Sequence, residues 1–156
     1  MTRSNTRIVV LTGGIGGAKL VLGLARHPDA PRLTAIVNTG DDFTHLGLPV
    51  CPDLDTLMYT LADEVNPQSG WGRRDETWTF MDAIGQLGGD TWFRIGDRDL
   101  ATHVRRAQLL ADGKTLTAAT QALCTRLGVR ERLLPMTDTP APTRVVTDQG
   151  RLAFQH

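Results

Sequence analysis

A glycine-rich segment near the start of the sequence is typical of a phosphate-binding turn. It follows an apolar run, precedes a helix-like pattern, and contains Gly13, Gly14, Gly16, Gly17 and Lys19. Glycine allows backbone N–H groups to approach a phosphate closely, and the N-terminus of a helix attracts negative charge. The segment matches neither the Walker pattern nor a complete dinucleotide-binding fingerprint. It therefore predicts phosphate binding, with a tight turn that binds no ligand as the alternative.

Four acidic residues follow at positions suited to a metal ion or a substrate hydroxyl. Asp41 and Asp42 come after the second apolar run, where parallel sheets place their ligands, and paired carboxylates there suit Mg²⁺ beside a diphosphate. The alternative is a turn with solvated acids. Asp53 and Asp55 begin a helix and lie about 200° apart around it, so we expect different roles. Asp53 is predicted as the N-cap, and Asp55 as a substrate-binding or solvated acid.

A charged segment further along the chain also has chemical potential. Arg94 and Arg98 are suited to bind phosphate or carboxylate oxygens. Asp97 or Asp99 is suited to cap the following helix or to orient these guanidinium groups. His103 is interpreted as a structural histidine in preference to a catalytic one. Because no nucleophile motif of the G-x-S-x-G kind is present, the sequence favours a site that aligns phosphates over covalent catalysis.

The composition excludes several other classes of protein. The chain has 156 residues, with 17 basic and 17 acidic side chains and 40% hydrophobic residues. The balanced charge gives no support to nucleic-acid or membrane binding, and the apolar fraction excludes wholesale disorder. Two distant cysteines and the lack of an apolar segment of membrane-spanning length predict a reduced, cytoplasmic protein. The length suits a single domain over residues 1–156.

Apolar periodicity predicts an alternation of strands and helices. Strands are predicted over residues 7–12, 33–38, 92–96, 130–136, 143–147 and 151–155, and helices over 18–26, 52–62, 76–87, 97–112 and 115–127. Residues 39–52 are predicted as a loop. The helix over 97–112 is expected to turn Leu100, Val104, Ala107 and Ala111 inward. Because the chain stops inside its last predicted strand, we interpret it as part of something longer.

This alternation predicts an α/β fold. We expect a Rossmann-like three-layer arrangement with a mainly parallel sheet, a small helical insertion and a C-terminal β-hairpin. The first two strands are expected to pair or lie close, since one helix separates them. Trp71 and Trp92 are candidates for the walls of a site for a flat aromatic ligand, although an isolated tryptophan is more often part of a core.

Six segments, in order, resemble the 2-phospho-L-lactate transferase family of coenzyme F-420 biosynthesis. They are residues 13–19, 38–42, 52–56, 70–72, 92–103 and 134–138. The resemblance implies an enzyme that moves a phospholactyl group, or in bacterial relatives a phosphoenolpyruvyl group, from a guanosine-diphosphate-activated donor to the deazaflavin FO. GMP leaves, and coenzyme F-420-0 or its dehydro form results. The choice among lactyl, enolpyruvyl and glyceryl groups depends on small pocket contacts and stays open.

The resemblance also implies roles for individual residues. Asp55 and Arg94 would contact FO, with Arg94 standing where many members carry lysine, and Asp55 is the candidate base. Asp97 and Arg98 are further candidate substrate-binding residues. Mg²⁺ is the implied cofactor. Its predicted ligands are chiefly Asp41, with Asp42 and Asp53 as weaker candidates, while residues 13–19 would hold the donor's diphosphate.

Members of the family are considerably longer chains. The resemblance therefore implies that residues 1–156 form the N-terminal half of a transferase, homodimeric at full length, whose second half completes the sheet and contributes to the nucleotide site. Two other interpretations stay open. One is a nucleotide-sugar-binding regulator of the same superfamily, in which a Gly/Ser-rich segment would replace residues 43–47. The other is a truncated, non-catalytic module that binds FO weakly and does not turn it over.

Overall fold

The structure has five helices and three small sheets in the part of the chain that it describes. The computed structural model describes residues 6–28 and 32–154. The elements in chain order are β1 (Arg7–Thr12), α1 (Gly14–Ala25), β2 (Arg32–Val37), β3 (Phe43–His45), β4 (Leu48–Val50), α2 (Pro52–Leu61), α3 (Thr79–Gln86), α4 (Asp97–Ala111), α5 (Leu116–Arg126), β5 (Arg132–Pro135), β6 (Arg144–Thr147) and β7 (Gly150–Ala153).

The central sheet is parallel, in the order β1-β2-β5. Alternate residues of β2 are buried on one face, where Leu33, Ala35 and Val37 pack with side chains of α1, α2 and α5. The opposite face is more open, and Val9 and Leu11 of β1 are 62% and 80% exposed there. The helices of the main core therefore lie on one face of the sheet, and the carboxyl ends of the strands remain free to carry a site.

The predicted parallel α/β fold with a C-terminal hairpin is confirmed. The first strand has the predicted bounds, and the helices predicted over 52–62, 97–112 and 115–127 differ from the observed ones by at most one residue at each end. Leu54, Leu57 and Met58 of α2 are buried, as their spacing predicted. Within the described ranges, no helix is both long and apolar enough to cross a membrane. The last predicted strand ends at Ala153 in the structure, and Gln155 lies outside the described residues.

Four other predictions of secondary structure were wrong. The predicted loop over residues 39–52 contains the β3–β4 hairpin, whose turn residues Leu46 and Gly47 both have positive φ. Such a two-residue turn usually carries asparagine or glycine first, so the leucine concealed it. Residues 92–96 form no strand, and Ile95 is buried in a small second core instead. The helix expected from residue 18 begins at Gly14, and the one expected from residue 76 begins at Thr79.

Helix α4 presents a polar face to the interior of the protein. The predicted inward residue Val104 is 38% exposed, so the expected face was wrong. The buried residues are Asp99, Thr102, His103, Arg106 and Leu109. Four of these five are polar, and hydrogen bonds and ion pairs among them replace apolar packing. An analysis of apolar spacing cannot detect a helix that is buried through its polar side.

The first turns of α3 and α4 are capped by acidic side chains from the neighbouring segment of chain. The Glu76 carboxylate, which precedes α3, accepts hydrogen bonds from the backbone N–H groups of Arg98 and Asp99, both at 2.8 Å. The Asp97 carboxylate accepts from the N–H groups of Thr79 and Phe80 at 3.1 and 3.0 Å. The prediction that Asp97 or Asp99 caps α4 was therefore wrong, because the Asp97 side chain caps α3 and the Glu76 side chain caps α4.

The close approach of Glu76 depends on glycine at position 96. A Cβ atom added to Gly96 would lie 2.2 to 2.5 Å from the Glu76 side chain. No real Cβ contact is that short, so any larger residue would displace the carboxylate from the first turn of α4. The glycine of the charged segment is thus explained by a cap contact rather than by ligand binding.

Replacement of the Glu76 cap is expected to destabilise the protein. In Glu76→Ala, two N–H groups of α4 lose their partner, and we expect a loss of about 1 kcal/mol in the free energy of unfolding. Urea denaturation measures this loss. The matched control is Asp112→Ala, which removes an exposed acid next to the C-terminal end of α4, where negative charge is unfavourable. Equal losses in the two variants would contradict the capping role.

Candidate functional site

The glycine-rich segment forms the junction between β1 and α1, and an acidic side chain already contacts it. Gly13 is the N-cap of α1, and the N–H of Gly14 donates to Oδ1 of Asp53 at 2.9 Å. A Cβ at Gly13 would lie 2.9 Å from the other Asp53 oxygen, so glycine is needed for this approach. Gly14, Gly16, Gly17 and Lys19 all lie within α1. The predicted phosphate-binding residues therefore surround a helix N-terminus whose first N–H group is bound to the protein's own carboxylate.

Asp53 was wrongly predicted as the N-cap of α2. Helix α2 begins at Pro52, with Cys51 in the N-cap position. Asp53 lies in the first turn, and its side chain reaches across to α1 instead of back to its own backbone. A proline at the first helical position makes a side-chain cap less necessary, because proline has no N–H group to satisfy. The carboxylate is thus available to neighbouring elements.

Asn38 brings two of the predicted metal ligands together. Its side-chain Nδ2 donates to Oδ2 of Asp53 at 2.8 Å and to Oδ2 of Asp41 at 3.3 Å. Its Oδ1 accepts from the N–H of Gly40 at 2.9 Å, which forms the Asx turn that the sequence analysis held as an alternative. Burial and the negative charge of Asp53 raise the pKa of Asp41. We call Asp41 and Asp53 the acidic pair.

A cavity of about 620 Å³ lies beside the acidic pair. One wall is the β3–β4 hairpin and its exit, including Phe43, Pro49 and Val50, and the other is formed by residues 137–142 with side chains of the β6–β7 hairpin. Trp92 also lines the cavity, and its ring lies 5.6 Å from that of Phe43. The predicted role of Trp92 as a wall for a flat ligand is therefore compatible with its position. Trp71 is not among the lining residues.

Asp42 faces this cavity, whereas its neighbour Asp41 belongs to the acidic pair. Burial raises the pKa of the Asp42 carboxyl from 3.8 to about 7, despite a hydrogen bond from the Cys51 thiol and the positive charge of Arg106. A carboxyl that binds its proton so tightly is a poorer ligand for a cation than an ionised one. Asp42 therefore lies in a different environment from the other two predicted metal ligands.

Asp55 lies in a buried polar network and not on the cavity. The network consists of Asp55, Tyr59, Asp99, His103 and Arg106, and all five residues are buried. Arg106 Nη2 donates to Oδ1 of Asp55, and Nη1 donates to the Pro49 carbonyl oxygen at 3.2 Å. His103 lies between the two acids, and Tyr59 donates to Asp99 at 2.6 Å. Asp55 is 5% exposed, so in this arrangement its carboxylate contacts protein groups.

The predicted substrate-binding residues of the charged segment lie elsewhere. The Arg94 guanidinium lies 4.5 Å from the centre of the Trp78 ring and 3.8 Å from Asp82, on the rim of a separate depression next to α3. Asp97 is occupied as the cap of α3. The Arg98 side chain is exposed, and its backbone N–H donates to Glu76. The structure thus brings together residues of the glycine, Asp41 and Asp53 segments, but not the two arginines.

Three residues that organise the site, Asn38, Glu76 and Arg106, were not predicted as site residues. Asn38 was noted as part of a segment, but nothing in its spacing showed that it would bind both Asp41 and Asp53. Glu76 was placed inside a predicted helix, which hid its capping role. Arg106 had one usable signal, because it follows Asp99 and His103 at helical intervals of seven and three residues on α4. The aligned acid, histidine and arginine could have indicated a polar helix face.

The raised pKa of Asp42 predicts a specific pH dependence of stability. The folded state holds this proton up to about pH 7, whereas the unfolded chain releases it near 3.8, so the stabilisation is complete below the lower value and is lost as pH rises through the upper one. Relative to Asp42→Asn, the native chain should lose on the order of 2 kcal/mol between about pH 4 and pH 7. Urea denaturation across this range measures the difference. The control Asp148→Asn, in the exposed β6–β7 turn, should show no such trend, and a flat difference for Asp42→Asn would contradict the assignment.

Comparisons with known proteins place the chain in a family. The sequence pattern of the 2-phospho-L-lactate transferase CofD family matches residues 8–156. A phosphoenolpyruvate transferase of Streptomyces avermitilis is 51% identical over 143 residues, which cover 91% of this chain and 45% of that protein. One of Thermobifida fusca is 51% identical over 159 residues, which cover 95% and 49%. The chain thus spans about half the length of these curated relatives.

A solved structure supports the fold. A member of the UPF0052 family from Bacillus halodurans superposes with a TM-score of 0.56 at 18% sequence identity, over 96% of this chain and 46% of that one. This likeness concerns the fold alone. The match of the family pattern, by contrast, extends over nearly all of the chain and is accompanied by relatives at about half identity. The chain therefore belongs to the 2-phospho-L-lactate transferase CofD family.

Proposed function

We propose that this chain carries the metal site and part of the substrate site of a transferase that moves a phosphoenolpyruvyl or phospholactyl group to the deazaflavin FO. The observation that carries the proposal is the convergence of Asp41 and Asp53 on Asn38, at the N-terminus of α1 and beside a large cavity. Family membership and the names of the relatives support the transferred group. Because the chain spans about half the length of those relatives, FO binding and turnover by the chain itself are separate expectations.

The acidic pair fits Mg²⁺. Carboxylate oxygens are the ligands that this ion prefers, and Asp41 and Asp53 direct one oxygen each at a single amide group. Burial, and after it the negative charge of Asp53, raise the pKa of Asp41, so the two carboxylates interact electrostatically. Asp41 and Asp53 would therefore hold the ion, with Asp42 as the weaker candidate. When bound, Mg²⁺ supplies charge neutralisation for a diphosphate.

The N-terminus of α1 is the proposed site for the donor's diphosphate. Helix N-termini bind phosphate through backbone N–H groups and the helix dipole. In the present arrangement Asp53 accepts the hydrogen bond of Gly14, and a phosphate oxygen would compete for the same N–H group. Two acids next to this site make a bare diphosphate unfavourable there, because like charges repel. We therefore expect donor binding to depend on a divalent cation.

The cavity is the proposed site for the tricyclic ring of FO. Its volume of about 620 Å³ lies in the range of ordinary small-molecule sites, and Phe43 and Trp92 offer aromatic surface. In the proposed reaction a ribityl hydroxyl oxygen of FO attacks the phosphorus next to the transferred group. A new oxygen–phosphorus bond forms, and the anhydride bond to the departing GMP breaks. Alignment of the two substrates by the protein supplies much of the acceleration in such transfers.

Asp55 and Arg94 remain predicted FO contacts from the family resemblance. Asp55 lies in α2, whose preceding residue Cys51 lines the cavity, so its carboxylate lies behind the cavity wall. Arg94 follows Trp92, which lines the cavity directly. Contact with the ribityl chain of FO would require each side chain to leave its present partner, Arg106 or Asp82 respectively. In the FO titration below, Asp55→Asn and Arg94→Met should each bind FO more weakly than the native chain, and native affinity in either variant would contradict that contact.

The metal site predicts a loss of Mg²⁺ affinity in a single acid-to-amide variant. Asp53→Asn removes one of the two charges, and we expect the dissociation constant for Mg²⁺ to rise roughly tenfold or more. Isothermal titration in the presence of GDP measures it. The matched control is Asp63→Asn, an exposed acid beyond the end of α2, which should bind Mg²⁺ as the native chain does. Equal affinities in all three proteins would contradict the site.

The acceptor site predicts saturable binding of FO. Titration of the chain should change the fluorescence of FO, and supply of a guanosine-diphosphate-linked donor with Mg²⁺ should consume FO and release GMP. Chromatography of the mixture follows both products. Binding without turnover would support the alternative of a non-catalytic module that needs the rest of the longer protein. A folded chain that fails to bind FO would overturn the acceptor assignment for this chain.

A further inference from the structure

Arg106 connects three elements from inside the protein. It lies on α4, is 1% exposed, and its guanidinium donates to the Asp55 carboxylate of α2 and to the Pro49 carbonyl oxygen of β4. The same Nη1 atom lies 3.2 Å from Nδ1 of His103 on its own helix. Because a guanidinium only donates hydrogen bonds, Nδ1 of His103 is the acceptor, and the ring proton lies on Nε2, which faces Asp99 at 3.3 Å. One planar group thus fixes the relative positions of α2, α4 and β4.

The positive charge of Arg106 is required by its surroundings. Burial by itself would lower the pKa of Arg106, but the nearby Asp55 carboxylate has the opposite effect. The pKa is raised overall, so the guanidinium stays charged. Asp99 also stays ionised, because hydrogen bonds from His103 and Tyr59 lower its pKa against the effect of burial. Asp55, Asp99 and His103 each place one ligand atom within 4.8 Å of the others, a spacing compatible with a metal ion. Arg106 contacts Asp55 and His103 already, so the cation at this position is the protein's own.

Through its hydrogen bond to Pro49, Arg106 contacts the wall of the cavity. Pro49, Val50 and Cys51 are consecutive residues of the cavity wall, and Cys51 donates a hydrogen bond to Asp42 on the same cavity. Strand β4 has three residues and pairs with β3 in a two-stranded sheet, and its Val50 side chain packs in the second core with Met81 and Ile95. A buried ion pair is weak evidence for stability, since apolar residues often pack as well, and its best-attested use is to specify one geometry.

We infer that Arg106 is a positioning residue for the cavity. Its side chain holds the wall formed by residues 49–51 in the arrangement that binds the acceptor. Arg106 acts through Pro49 and Asp55 and does not itself line the cavity. That the wall serves FO rests on the proposed function, whereas the effect of Arg106 on the wall does not. Lysine cannot replace it, because a single ammonium group on a flexible stem does not reproduce the planar fork that reaches Pro49 and Asp55 together.

The two cysteines provide a ligand-free test. Cys51 belongs to the wall, and Cys124 lies in α5, and both thiols are free and buried. In Arg106→Met, alkylation of Cys51 by a thiol reagent should accelerate at least about tenfold while that of Cys124 stays unchanged, since local opening governs the reaction of a buried group. Mass spectrometry of the peptides reports each site. Arg106→Lys should also accelerate Cys51, and Arg105→Met, an exposed neighbour on α4, should not.

Two results would overturn the inference. Equal acceleration of both cysteines would show a general loss of stability, and no acceleration of Cys51 in a folded variant would show that the wall does not depend on Arg106. If Arg106→Met fails to fold, the double variant Asp55→Asn with Arg106→Gln removes both charges and avoids an unpaired buried acid. Fast labelling of Cys51 in this double variant supports the positioning role. Native labelling rates would show that Arg106 only neutralises Asp55.

The ligand measurement separates this inference from the proposed function. In Arg106→Met the dissociation constant for FO should rise about tenfold, whereas Arg105→Met should bind FO as the native chain does. If the native chain does not bind FO, the acceptor assignment fails, and the cysteine labelling still decides whether Arg106 holds the wall. If the native chain and Arg106→Met bind FO equally and label equally, the inference fails while the proposed function stands.

Discussion

The contact between Arg106 and Asp55 is the constraint on which the arrangement of the polar elements depends. Both groups are charged and almost completely removed from solvent, so each would be costly to bury alone. They are tolerable only when the long Arg106 side chain of α4 reaches Asp55 of α2, which requires one rotation of α4 about its axis. That rotation turns the polar side of α4 inward and leaves the Val104 side chain partly exposed to solvent. The position of β4 depends on the same group, because its Pro49 carbonyl oxygen accepts a hydrogen bond from the guanidinium.

Helix α2 connects this network with the glycine-rich N-terminus of α1. Asp53 and Asp55 are two residues apart and therefore project in different directions. The structure bears this out, because Asp53 contacts Gly14 of α1 and Asp55 contacts Arg106 of α4. The apolar residues between and beyond them, such as Leu54 and Leu57, pack under the sheet. A single helical turn thus determines where the glycine-rich segment, the sheet and α4 lie with respect to one another.

Local sequence patterns were sufficient where a residue's role depends on its neighbours along the chain. The β-branched run of β1 and the apolar spacing of α2 predicted both elements and the buried side of α2. The grouping of the glycine-rich segment with Asp41 was also foreseeable, since each follows a strand of the parallel sheet. Partners far apart in sequence were not foreseeable. Arg106 pairs with a residue 51 positions away, and Glu76 caps a helix 22 positions later. Their residue types alone suggested an exposed arginine and a helical glutamate.

The segment from Asn38 to Asp42 borders both the proposed metal site and the cavity. Asp41 belongs to the acidic pair and Asn38 donates to both of its members, whereas Thr39 and Asp42 line the cavity, so one short stretch of backbone borders both. Its position is fixed on two sides, because Asn38 binds Asp53 and the Gly40 carbonyl oxygen accepts from the N–H of Thr143 at 2.6 Å. Transfer of a phosphorus group requires the attacking oxygen and the diphosphate to meet within a few ångströms. In the proposed reaction this common border would set that separation before either substrate arrives, which is the form of preorganisation that transfer without a covalent intermediate needs.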